Sequence, residues 1–444
     1  MNLPKILVIG QPFNNDTGGG ITLTNLFAGW DREKLAVACS AYLLLDNVDP
    51  KKCNNYYQLG HKEQKWKFPF SLFKRKYTSG TLSFQSNEVK NFTVPKSKLR
   101  VKLIMDYFYP LIDLIGISHA SHTTELSDQF RRWLDDYNPD IIYSQASSRD
   151  GFLFCAKVKA YLNKPMVFHM MDDWPSTIAD KGIMKKYWQK KINQEFRDFL
   201  NVTDLFMTIS HEMAREYKTR YQKDSLVFHN PIDIDFWQQH QRKNYSLGNP
   251  PTILYAGRTG LGIQSTLVSI AKAVESINNK LHINLQFIIQ TAEKPEWVEE
   301  YSCVVHKGFV PYQELPKAFA ESDLMILPYD FSTDAIKYIQ FSMPTKASEY
   351  MACGSPILVF APEVTAIVKD AREFGWAKIV TENNIEQLAS AIESLIIDEE
   401  ERQHLSQTAI SLAMNSHGAH VVTKKFREAI CTLAPEHLVE NEKK

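Results

Sequence analysis

Short β-rich apolar runs alternate with longer amphipathic stretches along this chain; the alternation breaks once and then starts again. Strand–helix repeats bury their apolar faces by aligning parallel strands and packing helices over them. In the first half, Lys5–Gly10, Ala41–Leu45, Asp140–Ser144, Met166–Met170, Leu205–Ser210 and Leu226–His229 read as strands. Helices are expected between them over Ile21–Trp30, Gly151–Leu162, Met184–Leu200 and Glu212–Tyr221. The break follows Asn230-Pro231, where Gln238–Pro251 is polar and rich in turn formers. The second series runs through Thr252–Ala256, Ile283–Ile289, Val304–Lys307, Leu324–Leu327 and Ile357–Phe360. Length points the same way, since 444 residues exceed what one core organises. The pattern predicts an α/β protein of two doubly wound Rossmann-like domains joined by a hinge near 231–250. Such sheets take ligands beyond the carboxyl ends of their strands. Two of them facing each other across a cleft bring two substrates together.

Bulk properties exclude several classes. Formal net charge is zero, which gives no argument for nucleic-acid binding. Six cysteines stand without a Cys-x-x-Cys pair or metal-ligand spacing, so reduced thiols and a cytoplasmic location are expected. No signal-peptide pattern opens the chain, and no apolar run reaches the roughly 18 residues of a membrane span. Charge is uneven, however. Lys62 to Lys102 holds eleven Lys/Arg against two acidic residues, a net +9 interleaved with Trp66, Phe68, Phe70, Phe73, Tyr77, Phe84 and Phe92. Cations among aromatics suit an anionic membrane surface, here the inner face; a solvated excursion over about 62–117 is the alternative.

The densest chemistry lies in Pro344-Thr-Lys-Ala-Ser-Glu-Tyr-Met-Ala-Cys-Gly-Ser-Pro356. A proline start and a glycine stop predict a short helix carrying one carboxylate, Glu349, before a buried strand. A carboxylate there can chelate a vicinal diol such as a ribose presents, and the free N–H groups at the helix start can take its phosphates. Gly257-Arg258 follows the first strand of the second series, where a guanidinium can take a diphosphate in bidentate fashion; a surface arginine paired with a carboxylate is the alternative. Gly18-Gly19-Gly20 follow the first strand of all and fit either a phosphate-approaching loop or a flexible connection. In Phe168-His169-Met170-Met171-Asp172-Asp173, His169, Asp172 and Asp173 are candidates for acid–base contacts. A core histidine with an Asp173 helix cap fits the same residues. Asp233-Ile-Asp235 reads as turn chemistry, and no metal site is expected.

In this order, with Ser322-Asp-Leu-Met-Ile-Leu-Pro328 between them, the motifs resemble the retaining glycosyltransferases of family 4, the group 1 transferases. The resemblance is strongest over 250–415 and implies the GT-B fold. It implies an N-terminal acceptor domain over 1–235 and a nucleotide-sugar domain over 236–417. A C-terminal helix, 418–444, is then expected to cross back to the first. Position by position, it implies that Glu349 binds the donor ribose, Arg258 its diphosphate, and Gly18 to Gly20 form the loop near the phosphates. It further implies transfer with retention, no cofactor, and a glycan or lipid-linked acceptor, as in bacterial surface-polysaccharide assembly. Three positions depart from the family pattern. Phe341 replaces a second glutamate, Ile263 and Gln264 occupy the place of a lysine, and Met171 that of a histidine. Lys346 is the expected substitute for the lysine and His169 for the histidine. A sugar-nucleotide epimerase and a non-catalytic scaffold of the same fold remain the alternatives.

Overall fold

The structure, a computed structural model, describes residues 3–15, 17–44, 48–68, 70–72, 77–82, 107, 109–116, 118–180, 182–259 and 263–435. It divides into two compact units, Met1–Phe228 with Lys425–Lys444, and His229–Lys424.

The first unit is built on a sheet of β1 (Ile6–Ile9), β2 (Leu35–Ser40), β3 (Asn55–Leu59), β5 (Gly80–Leu82), β7 (Ile141–Ser144), β8 (Met166–Met170), β9 (Leu205–Thr208) and β10 (Leu226–Val227). The order is β10-β9-β8-β7-β1-β2-β3-β5, parallel except where β5 runs against β3. β4 (Gln64–Trp66) and β6 (His122–Thr124) form a separate antiparallel pair. The direction of winding reverses between β1 and β7, whose residues are buried throughout.

One expected strand is misplaced. Ala41–Leu44 is a helical turn, and the strand is the preceding Leu35–Ser40. Both runs are apolar, and a strand buried on both faces has no alternation by which to tell it from a buried helix.

Of the basic stretch 62–102, most lies outside the described residues, including Phe73, Phe84 and Phe92. What is described is partly tied down: Trp66 stacks on His122 with ring centroids 4.2 Å apart. Among the described residues, no helix is long and apolar enough to cross a membrane.

The second unit carries β11 (Thr252–Ala256), β12 (Gln286–Gln290), β13 (Val304–Lys307), β14 (Leu324–Pro328), β15 (Ile357–Phe360) and β16 (Lys378–Val380), all parallel in the order β13-β12-β11-β14-β15-β16. Winding from β11 proceeds one way to β13 and the other way to β16, which places the switch point between β11 and β14.

The stretch expected as a hinge, 231–250, belongs to this unit. Asp323, 3% exposed, pairs with Arg242 at 2.8 Å and accepts from the N–H groups of Gly248 and Thr252. Arg242 also donates to the carbonyls of Ser322, Asn244 and Ser246. Trp237 is fully buried in the same core. A polar, proline-rich composition here reflects a strapped loop, and the boundary falls at 228/229 rather than 235/236.

The last helix, Ala419–Cys431, starts in the second unit and ends in the first. There Phe426 packs edge-on against Phe27, Tyr143 and Phe228 at centroid distances of 5.1, 5.9 and 5.3 Å.

Candidate functional site

In the second unit the short helix runs over Thr345–Cys353, starting after Pro344 and stopping at Gly354, whose φ of 82° is left-handed. No side chain caps its start; Ala347 N–H turns back to the Pro344 carbonyl, and the Thr345 and Lys346 N–H groups remain available. Strand β15 follows at once and buries all four of its residues. Glu349 lies one turn in and is 9% exposed. Its carboxylate takes part in none of the hydrogen bonds or ion pairs among the described residues. A carboxylate so placed is costly unless something else approaches it.

Two cations stand near it at the switch-point edge of the sheet. The Lys346 ammonium donates to the carbonyl of Ala256, the last residue of β11. Arg258 follows two residues later, exposed, and makes no ion pair with a described residue. Burial drives the Glu349 carboxyl above the usual carboxylate range, against the pull of Lys346. Burial also drives Lys346 below the usual ammonium range; Glu349 opposes this and Arg258 adds to it.

The loop that carries Arg258 is held from three sides. The Tyr350 hydroxyl accepts from Ala256 N–H at 3.2 Å, Lys346 holds the Ala256 carbonyl, and the Tyr255 hydroxyl donates to the Arg258 carbonyl at 2.7 Å. Gly257 leaves room for these contacts: a Cβ there would stand 2.5 Å from the Tyr255 Oη and 3.2 Å from the Lys346 Nζ, so a larger residue must displace one of them. Phe341, which the family resemblance sets in the place of a second glutamate, is buried at 7% exposure. Ile263 and Gln264 open the helix Gln264–Leu281.

The start of the 345–353 helix also lines a narrow cleft of about 10 Å³, room for about one water molecule, with His229, Asn230, Met343 and His417. Sequence reading passed over these residues. The one local signal is Asn230-Pro231, after which the strand–helix alternation breaks. Asp233 caps the helix Ile234–Gln238, accepting from Phe236 N–H at 3.2 Å, as its turn-like setting suggested. Among the described residues, no cluster of three or more His, Cys, Asp or Glu is placed to hold a metal ion.

The first-unit candidates have other duties. His169 is 1% exposed, with Nδ1 2.7 Å from the Tyr143 hydroxyl and Nε2 2.9 Å from the Phe228 carbonyl. Both ring nitrogens are engaged in the core, and neither is left for a substrate. Asp173 is 3% exposed and accepts from Ser176 at 2.6 Å, Tyr217 at 2.7 Å and the Arg220 guanidinium at 2.9 Å, which makes it a structural anchor. Asp172 is exposed and gives its carbonyl to Trp174 N–H.

Gly18, Gly19 and Gly20 form the first turn of the helix Gly18–Leu26 rather than a loop, because Thr17 caps it by accepting from Gly20 N–H at 3.2 Å. A Cβ on Gly20 would fall 2.2 Å from Asn14 Oδ1 and force the Asn14 side chain to move. The structure therefore gathers Arg258, Lys346 and Glu349 in one unit. His169, Asp172, Asp173 and Gly18 to Gly20 belong to the other.

Residues 250–398 match the family model described as glycosyl transferases group 1, and residues 107–236 match glycosyltransferase family 4. No curated protein matches the chain. Similar solved structures include a complex of Anabaena HepE with UDP-glucose, at 14% identity and TM-score 0.56 over 97% of this chain and 100% of that one. Sucrose-phosphate synthase from Thermosynechococcus elongatus is another, at 12% identity and TM-score 0.59 over 96% and 98% of the two chains. A glycosyltransferase from Rickettsia africae aligns at 12% identity and TM-score 0.58 over 98% and 99%. At such identities the neighbours establish the GT-B fold of two Rossmann-like domains. With one glycosyltransferase model on each sheet and that fold along nearly the whole length, the chain belongs to the group 1 glycosyltransferases.

Proposed function

We propose that the protein transfers a sugar from a nucleoside-diphosphate donor, with retention of configuration, to a hydroxyl of a glycan or lipid-linked acceptor. One observation carries the donor reading: a buried carboxylate with no hydrogen bond or ion pair among the described residues, Glu349, beside two cations at the switch point of a Rossmann-like sheet. A ribose diol supplies the two hydroxyl donors that carboxylate lacks, and a diphosphate supplies the anion that Arg258, Lys346 and the helix start lack. UDP is the first nucleotide to test, because the Anabaena neighbour was solved with UDP and UDP-glucose.

Cleavage of the donor leaves charge on the diphosphate, and fixed cations there favour that charge in a water-poor site. Retention rests on the family. The buried Phe341, where a second glutamate would stand, leaves the donor sugar without that carboxylate contact. The acceptor class, a role in bacterial surface-polysaccharide assembly and an inner-membrane approach through 62–102 rest on the resemblance and on that stretch's charge.

The test is thermal stabilisation by UDP, GDP and their sugars, where a ligand at 100 times its Kd adds about 2.7 kcal/mol. Glycan acceptors follow, with the product anomer read by NMR. Stabilisation by no nucleotide refutes the donor reading. A product of opposite anomeric configuration refutes retention. Conversion of the donor sugar in the absence of acceptor identifies an epimerase.

A further inference from the structure

The pocket at the start of the 345–353 helix holds a histidine pair in an unusual state. His417 ends a single π-turn, Ala413–His417, and is 6% exposed. Isolated π-turns of this kind recur at functional positions. The His417 Nδ1 lies 2.8 Å from His229 Nε2, and the His229 Nδ1 lies 3.1 Å from the Asn230 carbonyl oxygen. A carbonyl only accepts, so His229 carries its proton on Nδ1, and its Nε2 accepts from His417 Nδ1–H. That leaves the His417 Nε2 as the bare nitrogen of a neutral imidazole. It is buried and has no hydrogen-bond partner.

Burial, and then His229, hold the His417 imidazole well below its ordinary range. The elements packed around this turn carry Lys346 and Glu349, Arg402 and His404, and nearby Asp233 and His420. His229 alone among ionisable groups bears on His417. No carboxylate compensates a proton there, so a charged imidazole needs an anion from outside. The adjoining helix start offers its free N–H groups to the same kind of ligand.

We propose that the His229–His417 pair is a proton-linked contact for a phosphate oxygen of the donor nucleotide. The anion seats at the helix start, His417 takes a proton from solvent on Nε2, and that N–H donates to the anion. His229 is a positioning residue, holding Nδ1–H of His417 so that Nε2 is the atom protonated. The proposal rests on the nucleoside-diphosphate reading of the site and adds to it a pH-dependent preference for the diphosphate over the nucleoside.

The experiment titrates the full chain with UDP, GDP and uridine by calorimetry from about pH 6 to 8, in buffers of differing ionisation enthalpy. Comparison is with His417→Gln and His229→Gln. Binding of the diphosphate to the natural protein is expected to take up more protons than binding to H417Q. H417Q is expected to lose about tenfold in UDP affinity, the worth of one charge-assisted hydrogen bond, with uridine unchanged. Any proton exchange at Glu349 is common to both proteins and cancels in the difference. H229Q, which keeps His417, is expected to shift the pH of uptake, and it carries the test if H417Q folds poorly. Equal uptake in the natural protein and both variants, or equal losses for UDP and uridine, overturns the pair's role. Uridine binding with the pair silent leaves the donor reading standing, whereas no binding of UDP, GDP or uridine overturns both.

Discussion

Replacing Glu349 by glutamine should move stability and nucleotide affinity in opposite directions. Without nucleotide, the glutamate is a buried carboxylate with no hydrogen-bond donor among the described residues. Glutamine has nearly the same shape and no charge. Removing an unsatisfied buried polar charge is worth about 1–3 kcal/mol. For a unit the size of His229–Lys424, each kcal/mol corresponds to about 2–4 °C in the midpoint, so the ligand-free variant should melt about 2–12 °C higher.

With nucleotide the sign reverses. A hydrogen bond to a charged group contributes about 1.5–3 kcal/mol, so UDP affinity should fall roughly 10- to 150-fold. The pH dependence follows from the raised Glu349 value. The folded protein holds this proton more tightly than the unfolded chain, so that stability is fully present below the ordinary carboxylate range and fades as pH rises through the elevated value. The advantage of glutamine should therefore vanish near pH 4 and grow as the pH rises. Scanning calorimetry without ligand, at pH 4 and 8, and titration with UDP provide the readings. A Glu349→Gln protein that melts lower than the natural one at pH 8 would refute the reasoning, because it would mean that the carboxylate is already satisfied.

Three further outcomes follow from the same geometry. Gly257→Ala should cost about 1–3 kcal/mol through overpacking and weaken UDP more than uridine, since the new methyl must displace the Tyr255 hydroxyl or Lys346; equal affinities would contradict the close approach. Asp323→Ala should destabilise the second unit by about 3–5 kcal/mol in urea, because it strands Arg242 and two N–H groups; a loss under about 1 kcal/mol would mean that 242–252 is not strapped. His169→Ala should lower stability by about 2–5 kcal/mol and leave the turnover of the folded fraction near normal. A fall in kcat of a hundredfold or more with unchanged stability would return His169 to the chemistry.

The sequence was most legible where a local rule and the tertiary structure agree. Pro344 and Gly354 bracket the 345–353 helix because one tolerates the free helix start and the other the left-handed stop. Met166–Met170, Thr252–Ala256, Val304–Lys307 and Ile357–Phe360 are strands at the expected bounds, each a run set off by polar or turn residues. Legibility failed where meaning depends on a distant partner. His169 reads like a catalytic imidazole until Tyr143 and Phe228 supply its bonds, and Asp173 like an acid until Arg220 arrives 47 residues later. Gln238–Pro251 reads as a linker until Asp323 ties it down. His229 and His417 lie 188 residues apart, and no local pattern announces that they touch.

The place of Phe426 sets an order of events during synthesis. A ribosome releases β1 to β10 long before residue 426 exists, so the nascent first unit carries an unfilled slot lined by Phe27, Tyr143 and Phe228. About two hundred residues of the second unit must emerge before the chain returns to plug it. Until then the rings that Phe426 packs against lack that partner, and this part of the first unit's core stays incomplete.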